Sequence, residues 1–463
     1  MRKSIITSVL ASVLLSGCGS GGSDRSDSGS GSSSTPTTKY TLQFVQLVEE
    51  VEGSATSCTL FDITGQSVGM QTYARLASDV RVKTYDADGN FNKDLSDLVS
   101  NTGVLNITES DIDNGGYISI INSESSSSTE YEVLSIQKEL LGDIMIAVER
   151  NQGVNSSCYK ENPVTVNTGF ASVYATDTGV DAYAFSSSQS EFTAGTHASK
   201  EVSALNNEDV LVRAYHNDKL VDYAFVSTLT VAERGDQKPL SGFAFSSYNW
   251  SINQTLTGQL FGLSVRLNQG NYSYPWLDAT FDTVTGDTTG FARVYRGTSW
   301  SYSAEGKTNF DWNFKHNEAL SATLDVQLPT ELTLTDNDPE ISNFVFQAQG
   351  IDSTLTRLQR SSYYIEVSDN GKTNKLNHVI YSEVASGDDV IIPNLGLANL
   401  DDPMRAINLT IAVLSADKLT SDFKKFFMYE NAASDLVSVV LTPTDTVKNN
   451  KTKNTGSYTL LNR

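Results

Sequence analysis

Val210-Leu211-Val212-Arg213-Ala214-Tyr215, then His216-Asn217-Asp218-Lys219, then Leu220-Val221-Asp222-Tyr223-Ala224-Phe225 is the stretch that decides the fold. Two runs rich in β-branched and aromatic residues flank a polar tetrapeptide, which is the pattern of an antiparallel hairpin. The pattern recurs along the chain. Ser78-Asp79-Val80-Arg81-Val82-Lys83-Thr84-Tyr85 alternates toward Asp86-Ala87-Asp88-Gly89-Asn90. Tyr364-Ile365-Glu366-Val367 and Ile407-Asn408-Leu409-Thr410-Ile411 alternate as strands do when one face meets a core and the other water. Helical periodicity is confined to short stretches such as 421–428. The expected fold class is all-β, with several antiparallel sandwich-like domains.

At 463 residues the chain exceeds one hydrophobic core. Composition places boundaries near Asn162 and near Asp338-Pro339, giving expected domains at 39–162, 163–338 and 339–463. Thr168-Gly169-Phe170-Ala171-Ser172-Val173-Tyr174 is echoed by Thr289-Gly290-Phe291-Ala292-Arg293-Val294-Tyr295. The match stops at seven positions, as a chance recurrence of a common strand pattern would.

The 33 basic residues face 55 acidic ones, for a formal charge of −22. Such a surface repels phosphate backbones and speaks against nucleic-acid binding. It favours solubility instead.

A search for chemistry finds no catalytic constellation. Asp86-Ala87-Asp88-Gly89-Asn90 has the residue types of a calcium loop, but glycine stands fourth where that loop needs it sixth. A hairpin turn with Gly89 or Asn90 at positive φ accounts for the same residues. Asp336-Asn337-Asp338-Pro339-Glu340 reads as a solvated linker, with a junction calcium site as the alternative. His197, His216, His316 and His378 stand far apart without metal spacing, and each is expected at the surface or in a turn. There is no phosphate-binding loop, dinucleotide fingerprint or nucleophile elbow. No enzyme activity, cofactor or metal site is expected. All four tryptophans, Trp250, Trp276, Trp300 and Trp312, fall within one aromatic-rich stretch. Exposed on a sheet, such rings would stack on sugars, with Asn271 or Asp278 supplying hydrogen bonds. Packed inward, they are the core and cross-strand pairs of the middle domain, which is the favoured expectation.

The N-terminus carries an address. Met1-Arg2-Lys3 precedes the apolar run Ile5 to Leu15, which is too short to span a hydrocarbon core needing about 20 apolar residues. A basic start, a short apolar run and small residues before a cleavage point mark residues 1–17 as an export signal. Leu15-Ser16-Gly17-Cys18 resembles the lipobox of bacterial lipoproteins. The resemblance implies that Cys18 is acylated, with chains such as palmitate, and becomes the new N-terminus. By the sorting pattern of such lipoproteins, Gly19 in place of Asp implies the outer membrane. Removing Arg2 and Lys3 would take the formal charge to about −24. Residues 18–38, rich in Gly and Ser, would then be a flexible tether reaching about 25 Å root-mean-square.

With Cys18 lipidated, Cys58 and Cys158 are the two thiols left in an oxidising compartment and are expected to pair; two free buried thiols are the alternative. In size and layout the chain resembles the lipoproteins of the sheathed polar flagellum of marine bacteria, whose sheath extends the outer membrane. The body from Lys39 onward adds no signature, so the lipobox alone carries that likeness. The resemblance implies a non-enzymatic outer-membrane lipoprotein with a structural or surface role, a component of the flagellar sheath, with envelope or sheath components as partners. The alternative is a surface carbohydrate-binding or adhesive protein acting through the tryptophan stretch.

Overall fold

In the computed structural model, Val210–His216 and Lys219–Val226 pair as an antiparallel hairpin. Asn217 (φ 50°) and Asp218 (φ 60°) close it. Two successive positive φ values make a type I′ turn, whose twist matches that of the strands it joins. The structure describes residues 39–51, 53–54, 57–61, 69–125, 129–149, 157–161, 166–175, 179–188, 191–226, 238–240, 246–253, 258–280, 285–291, 298–308, 311–319, 325–327, 338–347, 357–369, 371–383, 389–397, 399–431 and 435–463. These are mostly strand, so the molecule is all-β with several separate sheets.

The turn at Asp86–Asn90 is a hairpin turn as expected. Gly89 sits at φ 80°, and the Asp86 carboxylate accepts the backbone N–H groups of Asp88 at 3.0 Å and Asn90 at 2.8 Å. The Asn90 amide, with lesser help from the Asn90 side chain and the Asp88 amide, holds the Asp86 carboxyl below its usual range. The first copy of the echoed heptapeptide lies in the strand Val166–Tyr174; most of the second lies outside the described residues.

Twelve strands form the principal sheet. In spatial order they are Tyr272–Thr280, Gly258–Gln269, Thr298–Thr308, Asn313–Ala319, Tyr458–Asn462, Ile407–Ala416, Arg357–Asp369, Lys372–Glu383, Thr129–Gln137, Tyr117–Ser125, Arg81–Tyr85 and Phe91–Asp94. Every neighbouring pair is antiparallel except Thr129–Gln137 with Lys372–Glu383, which is parallel. Each of the expected segments 39–162, 163–338 and 339–463 supplies four of these strands. The segments therefore share a sheet where composition suggested that each closes its own. Strand edges carry unpaired backbone groups, and continuing one sheet through all three segments satisfies them.

The sheet is the middle layer of a sandwich with an apolar core on each face. Alternation sorts the side chains: Ile118, Ile120, Leu134, Ile136, Leu358, Val379, Tyr381, Ala412 and Leu414 face one core. Tyr117, Ile121, Val133, Tyr363, Ile365, Ile380, Ile411 and Val413 face the other. A five-stranded sheet built around Lys39–Val51 covers the first with Leu42 and Phe44. There it is joined by helix α1 (Ser421–Glu430), which contributes Phe423, Phe426, Phe427 and Met428. Over the second core lie Leu211, Tyr223 and Phe225 of the hairpin together with Phe346, Val390 and Ile392. Burying each such side chain stabilises the fold by about 1.5–3 kcal/mol.

Covering both faces changes how two strands behave. Ile411 to Leu414 are all buried, while Ile407 and Asn408 at the strand's start are both exposed and Asn408 sits at positive φ (53°), so the expected alternation of burial is not kept along this strand. In Arg357–Asp369 the run from Leu358 to Tyr363 is buried although it contains Gln359, Arg360, Ser361 and Ser362. Arg360 is tolerated there because Asp435 accepts from its Nη2 with both carboxylate oxygens at 2.9 Å. This charge-assisted pair, with Nη1 donating to Ser362 Oγ at 3.1 Å and Thr410 Oγ1 at 3.3 Å, offsets the desolvation that a buried guanidinium would otherwise suffer.

Helix α1 begins at Ser421 because Thr420 Oγ1 accepts the Phe423 amide at 3.3 Å. A second helix, α2 (Pro443–Thr455), was not foreseen. Thr442 Oγ1 caps it by accepting the Asp445 amide at 3.1 Å, and Pro443 occupies its first turn. Among the described residues no helix is long and apolar enough to cross a membrane.

Candidate functional site

The tetrapeptide ending at Cys18 and the tether 18–38 lie outside the described residues. Cys58 and Cys158 form the expected disulfide, with Cα atoms 5.7 Å apart. It fastens the Ser57–Phe61 segment and the Ser157–Glu161 segment to the strand Met70–Leu76: Thr59 N donates to Tyr159 O at 3.0 Å and Tyr159 N to Ala74 O at 2.8 Å.

Among the described tryptophan side chains, Trp276, Trp300 and Trp312 pack against the core. Trp276 and Trp312 are 7% and 2% exposed and belong to the core that the hairpin covers. Trp276 meets the edges of Tyr223 at 5.3 Å and Trp300 at 4.8 Å, and Trp300 is half-buried against the same core. Strand alternation turns these rings inward, where edge-to-face contact stabilises them. The Trp250 side chain lies outside the described residues, although its backbone runs in the strand Ser246–Asn253. Of the two hydrogen-bonding candidates, Asn271 accepts from Lys451 Nζ at 2.7 Å, and the Asp278 side chain is outside the described set.

Two histidines are at the surface or a turn as expected: His197 is exposed, and His216 flanks the type I′ turn. His316 and His378 are buried instead. His378 completes a hydrogen-bonded chain across four adjacent strands. Its Nε2 lies 2.7 Å from Ser135 Oγ, which lies 2.7 Å from Ser119 Oγ, and its Nδ1 lies 2.9 Å from Tyr363 OH. Burial pulls the His378 pKa down to about 3. A Ser–His contact resembles nucleophile activation, but all four side chains are sealed inside the sheet and both ring nitrogens are engaged. A substrate needs an open nucleophile, so this chain is structural polarity that is satisfied in place. His316 is similar, with Nδ1 at 2.8 Å from Thr459 Oγ1. Burial, outweighing the pull of Glu318, lowers its pKa.

Among the described residues no three His, Cys, Asp or Glu side chains converge on a metal position. Of the acidic cluster, Asp336 and Asn337 lie outside the described residues, while Glu340 is exposed at the start of the strand Glu340–Ser342 and Asp338 pairs with Arg463 Nη2 at 2.6 Å.

Open space with converging polar groups occurs elsewhere, beneath α2. At the Gly258–Ala319 end of the principal sheet, one face supplies Leu263, Val265, Tyr302 and Ala304 to the core. The register Ser264↔Ser303, Glu305↔Lys315 and Ser303↔Asn317 puts polar residues on the opposite face. Helix α2 lies against this polar face: its Asn454 O accepts from Asn268 Nδ2 at 3.3 Å, and Gly456 O just beyond it accepts from Asn317 Nδ2 at 2.5 Å. Between helix and sheet opens a cleft of about 490 Å³. A smaller compartment of about 200 Å³, lined by Tyr272 and Asn450, shares Arg266, Lys453 and Asn454 with it.

Charge is unevenly placed in the cleft. Lys453 Nζ lies 3.1 Å and Lys315 Nζ 3.5 Å from one Glu430 oxygen. Burial works against charge on Glu430, yet Lys453 and Lys315 outweigh it and hold the carboxyl below its usual range. Lys453 is pulled down by burial, opposed by Glu430 and reinforced by the like charge of Lys315. Arg266 joins them, its guanidinium fixed by Ser273 through Nε to Oγ at 2.9 Å and Nη2 to the carbonyl at 3.1 Å. Phe261, 45% exposed, stands in the wall of the cleft. Sequence reading missed this site because its cations come from two strands and a helix far apart in the chain.

No protein-family model and no curated protein matches the chain. Among solved structures it has a faint likeness to the pilus adhesin SpaC from Lactobacillus rhamnosus GG in its open conformation, at 10% identity and a TM-score of 0.12. The likeness covers 76% of this chain but only 44% of that one, and at such a score it carries no argument about fold or function.

Proposed function

We propose that the protein is a non-enzymatic outer-membrane lipoprotein with a structural or surface role, and more specifically a component of the polar flagellar sheath. The observation that carries the reading is the cysteine usage: Cys58 and Cys158 are joined, as befits an oxidising compartment, and the one remaining cysteine is Cys18 of Leu15-Ser16-Gly17-Cys18. The first strand begins at Lys39, directly after the Gly/Ser-rich residues read as a tether. A three-layer body with a buried polar chain such as Ser119–Ser135–His378–Tyr363 satisfied inside its sheet suits a scaffold. Replacing Cys18 with Ser is expected to move the protein from the membrane fraction to the soluble one, and retention in the membrane would sink the anchor. For the sheath, flagella separated from cell bodies are expected to carry the protein; recovery from the cell-body envelope alone would remove that assignment.

A second reading, a surface carbohydrate-binding or adhesive protein, draws support from the cleft beneath α2 and no longer from the tryptophans. Its test is titration with oligosaccharides against intrinsic tryptophan fluorescence, since the half-buried Trp300 belongs to the strand Thr298–Thr308 that also lines the cleft. No response to any envelope or algal glycan would count against it.

A further inference from the structure

We infer that the cleft between α2 and the polar face of the principal sheet binds an anionic saccharide, a sugar chain bearing sulfate or phosphate esters. The inference rests on the carbohydrate-binding reading and deepens it by naming the site and the ligand's charge. It holds whether or not Cys18 carries lipid.

Charge is the first ground. Arg266, Lys315 and Lys453 converge from three elements, and Glu305 and Glu430 leave one positive charge in excess. In a chain of formal charge −22, such a spot is set apart from the bulk of the surface. Low-dielectric walls focus its field, and charge-assisted hydrogen bonds to an oxyanion are about twice as strong as neutral ones. Lys315 and Lys453 already share a single carboxylate, so a second anion would relieve their mutual repulsion.

Preorganisation is the second. Ser273 pins the Arg266 guanidinium, and Lys453 rests over the Phe426 ring at 5.7 Å. Cations fixed before the ligand arrives lose little entropy on binding.

Shape and polarity are the third. An exposed Phe261 beside Ser264 and Ser303 offers one apolar face and hydrogen-bonding hydroxyls, which is the mixture a sugar ring presents in return. The volume of about 490 Å³ lies within the usual range for small-molecule sites, about 300–1,000 Å³, and the adjoining compartment lengthens it toward more than one sugar unit. With Arg266, Lys315 and Lys453 in the lining, the cleft is too basic for a metal cation.

The test is calorimetric titration of the full chain in detergent with three probes of equal length. These are a sulfated dextran oligosaccharide, a phosphorylated lipopolysaccharide core oligosaccharide and a neutral dextran oligosaccharide. Binding of either charged probe without the neutral one is expected, and which of them binds identifies the source of the ester. Lys453→Gln and Phe261→Ala are each expected to weaken that binding about tenfold or more. Phe261 is exposed, so its replacement leaves the core intact and keeps the test decisive even if Lys453→Gln fails to fold. Equal binding of the neutral probe would overturn the anionic class while leaving the carbohydrate reading standing. Binding unchanged in the variants would overturn the site, and silence from all three probes would overturn both the inference and the reading beneath it.

Discussion

Glu132 and His378 sit on adjoining strands, at Glu132↔Asn377 and Val133↔His378, and their burial has opposite consequences for stability. Burial, only partly countered by the hydrogen bond from Asn377, pushes the Glu132 carboxyl up to about 7. The folded state then holds a proton that the unfolded chain has released, so this contribution is present below about pH 4.5 and is lost as pH rises toward 7. For His378, pulled down to about 3, the unfolded chain binds the proton first. Its contribution is present above about pH 6.5 and is lost as pH falls toward 3. Urea unfolding followed across pH should separate them. Glu132→Gln is expected to raise the midpoint relative to the parent at pH 8 more than at pH 4, and His378→Gln to gain on the parent as pH falls from 7 to 4. Because the two slopes oppose each other between about pH 4.5 and 6.5, the variant-minus-parent difference is the readout, and a difference that does not change with pH would contradict the assignment for that residue. Neither effect could be read from the sequence, because Glu132 and His378 carry no local mark of their surroundings; a strand between two cores was needed to bury His378 and half-bury Glu132.

At the scale of elements, legibility followed local signals. The hairpin at Val210–Val226, the turn at Asp86–Asn90 and the helix from Ser421 were readable because alternation, turn residues and a short helical period all act over a few residues. Helix α2 was not readable because it has almost no apolar stripe: Val447 is the one large aliphatic side chain in Pro443–Thr455. Its mark was Thr442-Pro443-Thr444-Asp445, in which Thr442 caps and Pro443 opens the first turn. A helix held so weakly by packing should lean on its cap. Thr442→Ala is expected to cost about 1 kcal/mol and to speed amide hydrogen exchange in α2 ahead of the sheet. Exchange unchanged in α2 would mean that the cap is dispensable.

For the whole molecule, an all-β architecture was evident from the period of two, whereas pairing between distant strands was not. Tyr458–Asn462 lies between Asn313–Ala319 and Ile407–Ala416, so a five-residue strand joins two parts of the principal sheet. Deleting 457–463 is expected to abolish the single cooperative unfolding transition, which differential scanning calorimetry would register as splitting or loss of the peak. The disulfide acts at the same scale. It closes a loop of 100 residues, worth up to about 4.7 kcal/mol in the chain-entropy argument. The Cys58→Ser, Cys158→Ser double variant is therefore expected to melt well below the parent, and a matched melting temperature would show that the link constrains nothing. The cleft belongs to this scale too, since Arg266, Lys315 and Lys453 meet only after the sheet has formed and α2 has settled on it.

The parallel pairing of Thr129–Gln137 with Lys372–Glu383 sets a clock. From Gln137 to Lys372 about 235 residues intervene, which a ribosome making about 5–20 residues per second needs roughly 10–50 s to supply. Throughout that interval the inner edge of the early four-stranded piece waits without its neighbour, open to any other extended chain. Slowed translation would lengthen the wait, so the yield of this protein should depend on how quickly its own later strands arrive.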